Sequence, residues 1–317
     1  MSKYPDFVPR GVIPACLLPF KEDLSIDEAA YRSHLRDVAR VDGVDAITVN
    51  AHSTEVNACS FEEQRRVLDV TLDEIGDRTP VIAGVYADGS FEAARIARMA
   101  ERGGASCLLV FPPGPFALGT HGRPEIAVTH FKTIADATDL PMICFQYPLA
   151  GGLGYPLDTL LALVEAVPSI RAIKDWCNNV PQHERHIRVL QSLPRPVNVL
   201  TTHSAWLFGS LALGCNGLLS GSGSVIADLH VALWRAVRAG DLALARRLND
   251  RIAPLAAAFY ADPFIDMHNR MKQALYALGR IPCPAVRPPL VTPRPADIEA
   301  VRRALEAAGV TRAGAFA

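Results

Sequence analysis

Apolar residues fall in short, nearly unbroken runs separated by amphipathic stretches, a pattern that predicts parallel strands joined by helices. The runs are Gly11–Leu17, Ala46–Asn50, Val81–Val85, Ser106–Phe111, Met142–Gln146, Ile170–Lys174, Val197–Thr201 and Leu218–Ser220. None alternates strictly between apolar and polar, as expected of strands covered on both faces. Ser25-Ile26-Asp27-Glu28 and Ser60-Phe61-Glu62-Glu63 read as capping boxes, whose side chains satisfy the free amides of a first helical turn. Ser90 before Phe91-Glu92 predicts a third cap, and Pro156 and Pro181 suit first-turn positions. Gly43, Gly103-Gly104 and Gly214 mark helix ends.

Eight strand–helix units within residues 1–240 predict an α/β fold of the (β/α)8 TIM-barrel type. An open dinucleotide-binding sheet would carry a Gly-rich turn after its first strand, and none follows Gly11–Leu17. Further helical stretches, Asp241–Tyr260, Pro263–Leu278 and Ala296–Ala308, make residues 241–317 a helical C-terminal extension of the same domain. No linker, low-complexity tract or repeat divides the chain.

Composition narrows the classes. Of 317 residues, 50% are hydrophobic and 21% charged, enough for a large core in a globular protein. A net charge of −1 without a Lys/Arg-rich stretch gives no electrostatic footprint for nucleic acid or an anionic membrane. The cysteines, Cys16, Cys59, Cys107, Cys144, Cys177, Cys215 and Cys283, are scattered and form no C-x-x-C pair, so neither a disulfide nor a metal framework is expected. The opening MSKYPDFVPRG lacks the apolar stretch of a signal peptide, and no apolar run reaches membrane-spanning length. A cytoplasmic setting is the expectation.

In a TIM barrel, reactive groups project from the C-terminal ends of strands. Lys174 closes an apolar strand, where solvation of an ammonium is poor. An unperturbed lysine titrates near ~10.4. Burial lowers that value and turns the amine into a nucleophile toward carbonyls. The plainer reading is a lysine that snorkels or pairs with Asp175. His52 and Ser53 follow the second strand, Tyr147 the fifth and His203 the seventh, and Gly221-Ser222-Gly223-Ser224 follows the eighth. Each alone has an ordinary explanation: a hydrogen-bonded strand-end histidine, a rim tyrosine, a tight turn.

Jointly the pattern is more specific. Gly11-Val-Ile-Pro-Ala15, Pro19-Phe20, Pro80-Val-Ile-Ala-Gly-Val85, Pro112-Pro113, Asp139-Leu-Pro-Met-Ile143 and Ala172-Ile-Lys-Asp175 precede Lys272-Gln-Ala-Leu275, Gly279 and Val286-Arg-Pro-Pro-Leu290. This sequence resembles the dihydrodipicolinate synthase/N-acetylneuraminate lyase family of class I aldolases from about Gly11 to Leu290. The resemblance implies that Lys174 condenses with the keto group of pyruvate or a larger 2-oxo acid, with no metal or other cofactor, in a homo-oligomer (dimer or tetramer). It also implies that Ser53 and nearby loop amides hold the substrate carboxylate.

Several positions depart from the family pattern. Ala51-His52-Ser53-Thr54-Glu55 stands where the family has Gly-Thr-Thr-Gly-Glu, and His52 adds a titratable group. Phe145-Gln146-Tyr147-Pro148 stands where the family has Tyr-Asn-x-Pro, so Phe145 occupies the place of the catalytic tyrosine. Tyr147, two residues along the same strand face, is the candidate replacement. Gly114-Pro115 replaces the paired aromatics after Pro-Pro. No Lys or Arg lies between Phe145 and Ile170, where the synthase keeps an arginine for its second substrate's carboxylate.

The expectation is therefore a lyase other than the synthase, with Lys174 as nucleophile and Tyr147 and His52 as proton carriers. Ser53, Thr54, Phe145, His203, Gly221 and Ser222 are expected around the substrate, and Phe116, Phe145 and Leu149 suggest an apolar distal pocket. A dehydratase of a 2-keto-3-deoxy sugar acid, a catalytically silent oxo-acid-binding barrel and a phosphosugar-binding barrel are the alternatives.

Overall fold

A computed structural model describes residues 2–316; Met1 and Ala317, the outer ends of the two expected regions, lie outside the described residues. The strands are β1 (Gly11–Pro14), β2 (Ile47–Val49), β3 (Val81–Val85), β4 (Cys107–Val110), β5 (Met142–Gln146), β6 (Ile170–Asp175), β7 (Asn198–Thr201) and β8 (Gly217–Ser220). All neighbours pair in parallel, in the order β1-β8-β7-β6-β5-β4-β3-β2. Single bridges from Val12 to Val44 and from Ala15 to Thr48 draw β1 against β2, so the sheet closes into the expected TIM barrel.

The surrounding helices are α1 (Glu28–Ala39), α2 (Phe61–Ile75), α3 (Ser90–Gly103), α4 (Pro124–Ala135), α5 (Leu157–Ala166), α6 (Val180–Leu190), α7 (Leu207–Ala212) and α8 (Gly223–Arg238). Ser60 and Glu63 form the expected reciprocal cap of α2. The other two expected caps shift. A bridge between Phe20 and Ile26 holds Ser25 in a turn against Asp23, so Asp27 caps α1 through the Ala30 amide. Gly89 precedes α3, and the hydroxyl of Ser90 meets His130 Nδ1 at 3.0 Å instead of a backbone amide.

Period-two alternation sorts each strand's side chains between two cores. Ile13, Ile82, Leu109, Ile143, Ala172, Leu200 and Leu219 fill the barrel interior, whereas Ile173 and Val199 face the helices. Lys174 shares the inward face with Ala172. The chain then adds α9 (Leu242–Phe259), α10 (Met267–Ala277) and α11 (Pro295–Ala308). These pack on one another, and α9 and α10 also pack on α8. Within α10, Lys272 Nζ reaches the buried carboxylate of Glu55 at 2.5 Å and the Ala285 carbonyl at 2.9 Å. Glu55 also accepts from the Arg287 amide at 2.9 Å, so one buried carboxylate ties the loop after β2 to the extension.

Candidate active site

Lys174 stands at the C-terminal end of β6, 8% exposed, with its Cα paired to Phe145 on β5 and to Leu200 on β7. That register places Nζ 4.1 Å from the centre of the Phe145 ring. Nζ has neither a hydrogen-bond nor an ion-pair partner among the described residues. Burial alone therefore acts on it and pulls the amine down to about 7.

The expected alternative, a pair with Asp175, is corrected. One residue further along the strand, Asp175 faces α6, where it accepts from His183 Nδ1 and His186 Nδ1 at 2.8 Å and from the Cys177 amide at 3.0 Å. Burial would raise this carboxyl, but the two histidine hydrogen bonds outweigh it and hold it far below the usual range. Asp175, Cys177, His183 and His203 bring one donor atom each within 4.8 Å of one another, a set able to hold a metal ion. No C-x-x-C spacing announces it. Those same donors are engaged in hydrogen bonds within the network.

The cavity over Lys174 holds about 50 Å³, the space of a few water molecules at ~10–15 Å³ each and the scale of a small oxo acid. His52, Ser53, Phe145 and Gly221 line it, as expected from strand-end positions, together with Ala15 and Ala51. A Cβ at Gly84 would stand 1.8 Å from the Asn50 carbonyl oxygen, so glycine there lets the end of β2 close over the barrel. The Ser53 hydroxyl is buried without a hydrogen-bond partner and so is free to bind a ligand.

Thr54 does not line the cavity: its hydroxyl accepts from the Ala51 amide at 2.6 Å and donates to the Ala51 carbonyl at 2.8 Å, closing a turn. His203 and Ser222 do not line this cavity either, although His203 lines an adjoining one of about 440 Å³ that shares Trp176, Thr202, Tyr260 and Phe264 with it. His203 Nε2 accepts from the Asn178 amide at 3.1 Å and its Nδ1 meets Thr201 at 3.1 Å, so both nitrogens are engaged outside this cavity. The Ser222 hydroxyl bonds Ser220 at 3.0 Å and His230 at 3.4 Å. Phe116 packs on His130 and Tyr155, and Leu149 is exposed, so neither shapes the pocket.

Tyr147 lies next to Phe145, with ring centres 4.5 Å apart, and its hydroxyl meets His52 Nε2 at 2.5 Å. It reaches the cavity through His52 and is not itself a lining residue. His52 sits among Tyr86, Phe111 and Phe145. Burial, assisted by Lys174, drives it down to about 3 and keeps it neutral. Burial pushes the Tyr147 phenol well above its usual range. A phenol–imidazole pair beside a reacting carbonyl can pass a proton without carrying net charge. Tyr147→Phe is expected to lower kcat by about 10²–10⁴-fold if the phenol transfers a proton in the rate-limiting step. A loss under about fivefold, the worth of one orienting hydrogen bond, would leave that role to His52 alone.

Sequence reasoning missed the rest of the lining: Trp176, Thr202, Tyr260, Phe264, Met267 and His268. Trp176 and Thr202 follow strands and the strand-end rule could have found them. The other four come from the extension, whose position over the barrel no local pattern encodes. Trp176 and Phe264 stack with ring centres 5.1 Å apart. Lys174 is the one Lys or Arg lining the cavity among the described residues.

A buried amine without a counter-ion, held at the C-terminal mouth of a TIM barrel, suits the chemistry of a carbon–carbon or carbon–oxygen lyase of the class I aldolase type. The chain belongs to the dihydrodipicolinate synthetase family, whose model matches residues 8–308. It is 31% identical over 302 residues to a 4-hydroxy-tetrahydrodipicolinate synthase of Neisseria meningitidis serogroup B, covering 95% of this chain and 99% of that protein. Among solved structures, a dihydrodipicolinate synthase from Thermotoga maritima matches with a TM-score of 0.87 at 24% identity, over 96% of this chain and 99% of that one. A prophage protein of the same family from E. coli K12, solved in complex with pyruvate, matches with a TM-score of 0.85 at 22% identity, over 94% of this chain and 98% of that one. These two likenesses bear on the fold.

Proposed function

We propose that this protein is a Schiff-base lyase acting on a pyruvate-derived 2-oxo acid and that it is not a dihydrodipicolinate synthase. The observation that carries the reading is the isolated amine of Lys174, buried and lowered to about 7. In this scheme the amine adds to the keto carbon and water leaves to give an iminium ion. The iminium nitrogen then draws the electrons of the bond between carbons 3 and 4, releasing a carbonyl fragment and leaving an enamine. Protonation of the enamine and hydrolysis of the imine free pyruvate and restore the amine. Dehydration is the variant in which carbon 3 loses a proton and carbon 4 its hydroxyl. Ser53, with its unpartnered hydroxyl, is suited to the substrate carboxylate. His52 and Tyr147 are suited to carry the protons of carbinolamine and leaving group.

Three features disfavour the synthase. Phe145 cannot shuttle a proton, no second cation lines the cavity among the described residues, and the distal lining is apolar and aromatic through Trp176, Phe264 and Met267. A missing clamp on a second carboxylate costs a few kcal/mol in binding. Pyruvate among the products marks cleavage, whereas an intact carbon skeleton marks elimination.

The expected pH dependence tests the amine directly. kcat/KM reports the free enzyme, and the reactive form of Lys174 is deprotonated, so the rate constant rises about tenfold per pH unit below about 7 and levels above it. His52, near 3, adds no second limb in this range. A profile still climbing toward pH 10 would mean an ordinary solvated lysine and contradict the reading.

A further inference from the structure

The C-terminal extension brings into the barrel mouth a group that no strand supplies. His268, at the start of α10, lines the Lys174 cavity, and its ring has no hydrogen-bond partner among the described residues. His52 differs, being engaged with Tyr147.

Two features hold the imidazole there. Gly221, directly after β8, leaves it room: a Cβ at that position would stand 2.8 Å from His268 Nε2 and 3.6 Å from Met271 Sδ. The backbone at Gly221 is not in the left-handed region, so the reason for glycine is space, not conformation. Lys272 lies one helical turn beyond His268 on the same helix face, and its buried contact with Glu55 fixes that face over the loop after β2. Burial, with His52 and Lys174 nearby, keeps the ring neutral, so one nitrogen offers a lone pair to the cavity. A substrate carboxylate entering the same space raises the ring's affinity for a proton.

We propose that His268 is the catalytic base that removes a proton from carbon 3 of the oxo acid bound on Lys174 when the reaction is an elimination or an exchange, and the acid that delivers a proton to carbon 3 of the enamine left by cleavage. The inference rests on the lysine-imine reading. In the step, the C3–H bond breaks and its electron pair becomes the C2–C3 double bond. The π electrons of C2=N settle on nitrogen and neutralise the iminium, and the proton moves to the imidazole.

Pyruvate in D2O tests this, because enamine formation exchanges the methyl protons while imine formation does not. Methyl exchange is followed by NMR, and borohydride trapping at Lys174 is measured in parallel. For His268→Asn, exchange is expected to fall by about 10²–10⁴-fold with trapping retained. Exchange within about threefold of the wild type in a folded, trapping variant overturns the proposal. Loss of trapping together with exchange also overturns it, since His268 would then serve imine formation. Should His268→Asn not fold, His268→Gln and Gly221→Ala, which crowds the ring without removing it, are held to the same criteria. A wild-type protein that traps no oxo acid overturns the lysine-imine reading itself, and this proposal with it.

Discussion

Lys174→Met is expected to lower turnover by at least about 10⁴-fold, on the scale seen when a covalent nucleophile is removed, while the melting temperature holds or rises. The two readouts diverge for one physical reason. The side chain is buried beside the Phe145 ring with no polar partner among the described residues, an arrangement that burdens the fold. Methionine of similar length fills the same space without burying an amine. A structural lysine would behave in the opposite way, with stability falling and activity following it. Thermal unfolding and steady-state turnover on the same preparation separate the two. A fall of several degrees with partial activity would remove Lys174 from the chemistry.

The second large effect lies in the clasp between barrel and extension. Glu55 and Lys272 are each 1% exposed in their side chains, and removing one partner strands the other's charge in the interior. Such a loss costs about 3–5 kcal/mol, which at ~2–4 °C per kcal/mol predicts a fall in melting temperature of roughly 6–20 °C for Glu55→Gln or Lys272→Met. Substituting both with apolar residues is expected to recover much of that, because no lone charge remains. Glu55 also receives the Arg287 amide, so its loss is expected to be the more damaging of the two. Calorimetry checks the order. Equal melting temperatures for wild type and single variants would mean that the extension docks without this pair.

The barrel was legible because parallel strands covered on both faces leave continuous apolar runs, and strand ends mark where chemistry projects. Lys174, His52, Ser53 and Gly221 were found in this way and line one cavity. Thr54 and His203 stand at equally suggestive positions, but their polar atoms are engaged by nearby backbone and side-chain groups, which position alone does not reveal. Phe116 misled because an aromatic residue after Pro-Pro turned outward onto His130 and Tyr155. Tyr260, Phe264, Met267 and His268 were invisible for a different reason. Their nearness to Lys174 follows from how the extension docks, and that depends on a carboxylate more than two hundred residues from its lysine.

Borohydride reduction with pyruvate, followed by peptide mapping, puts the central claim to its most direct test. The chain has five lysines, and Lys3, Lys21 and Lys132 are exposed. The expected result is a carboxyethyl adduct confined to the peptide bearing Lys174, absent without the oxo acid and absent from Lys174→Met. An unmodified protein across pyruvate and larger 2-oxo acids, or an adduct on another lysine, would contradict the account.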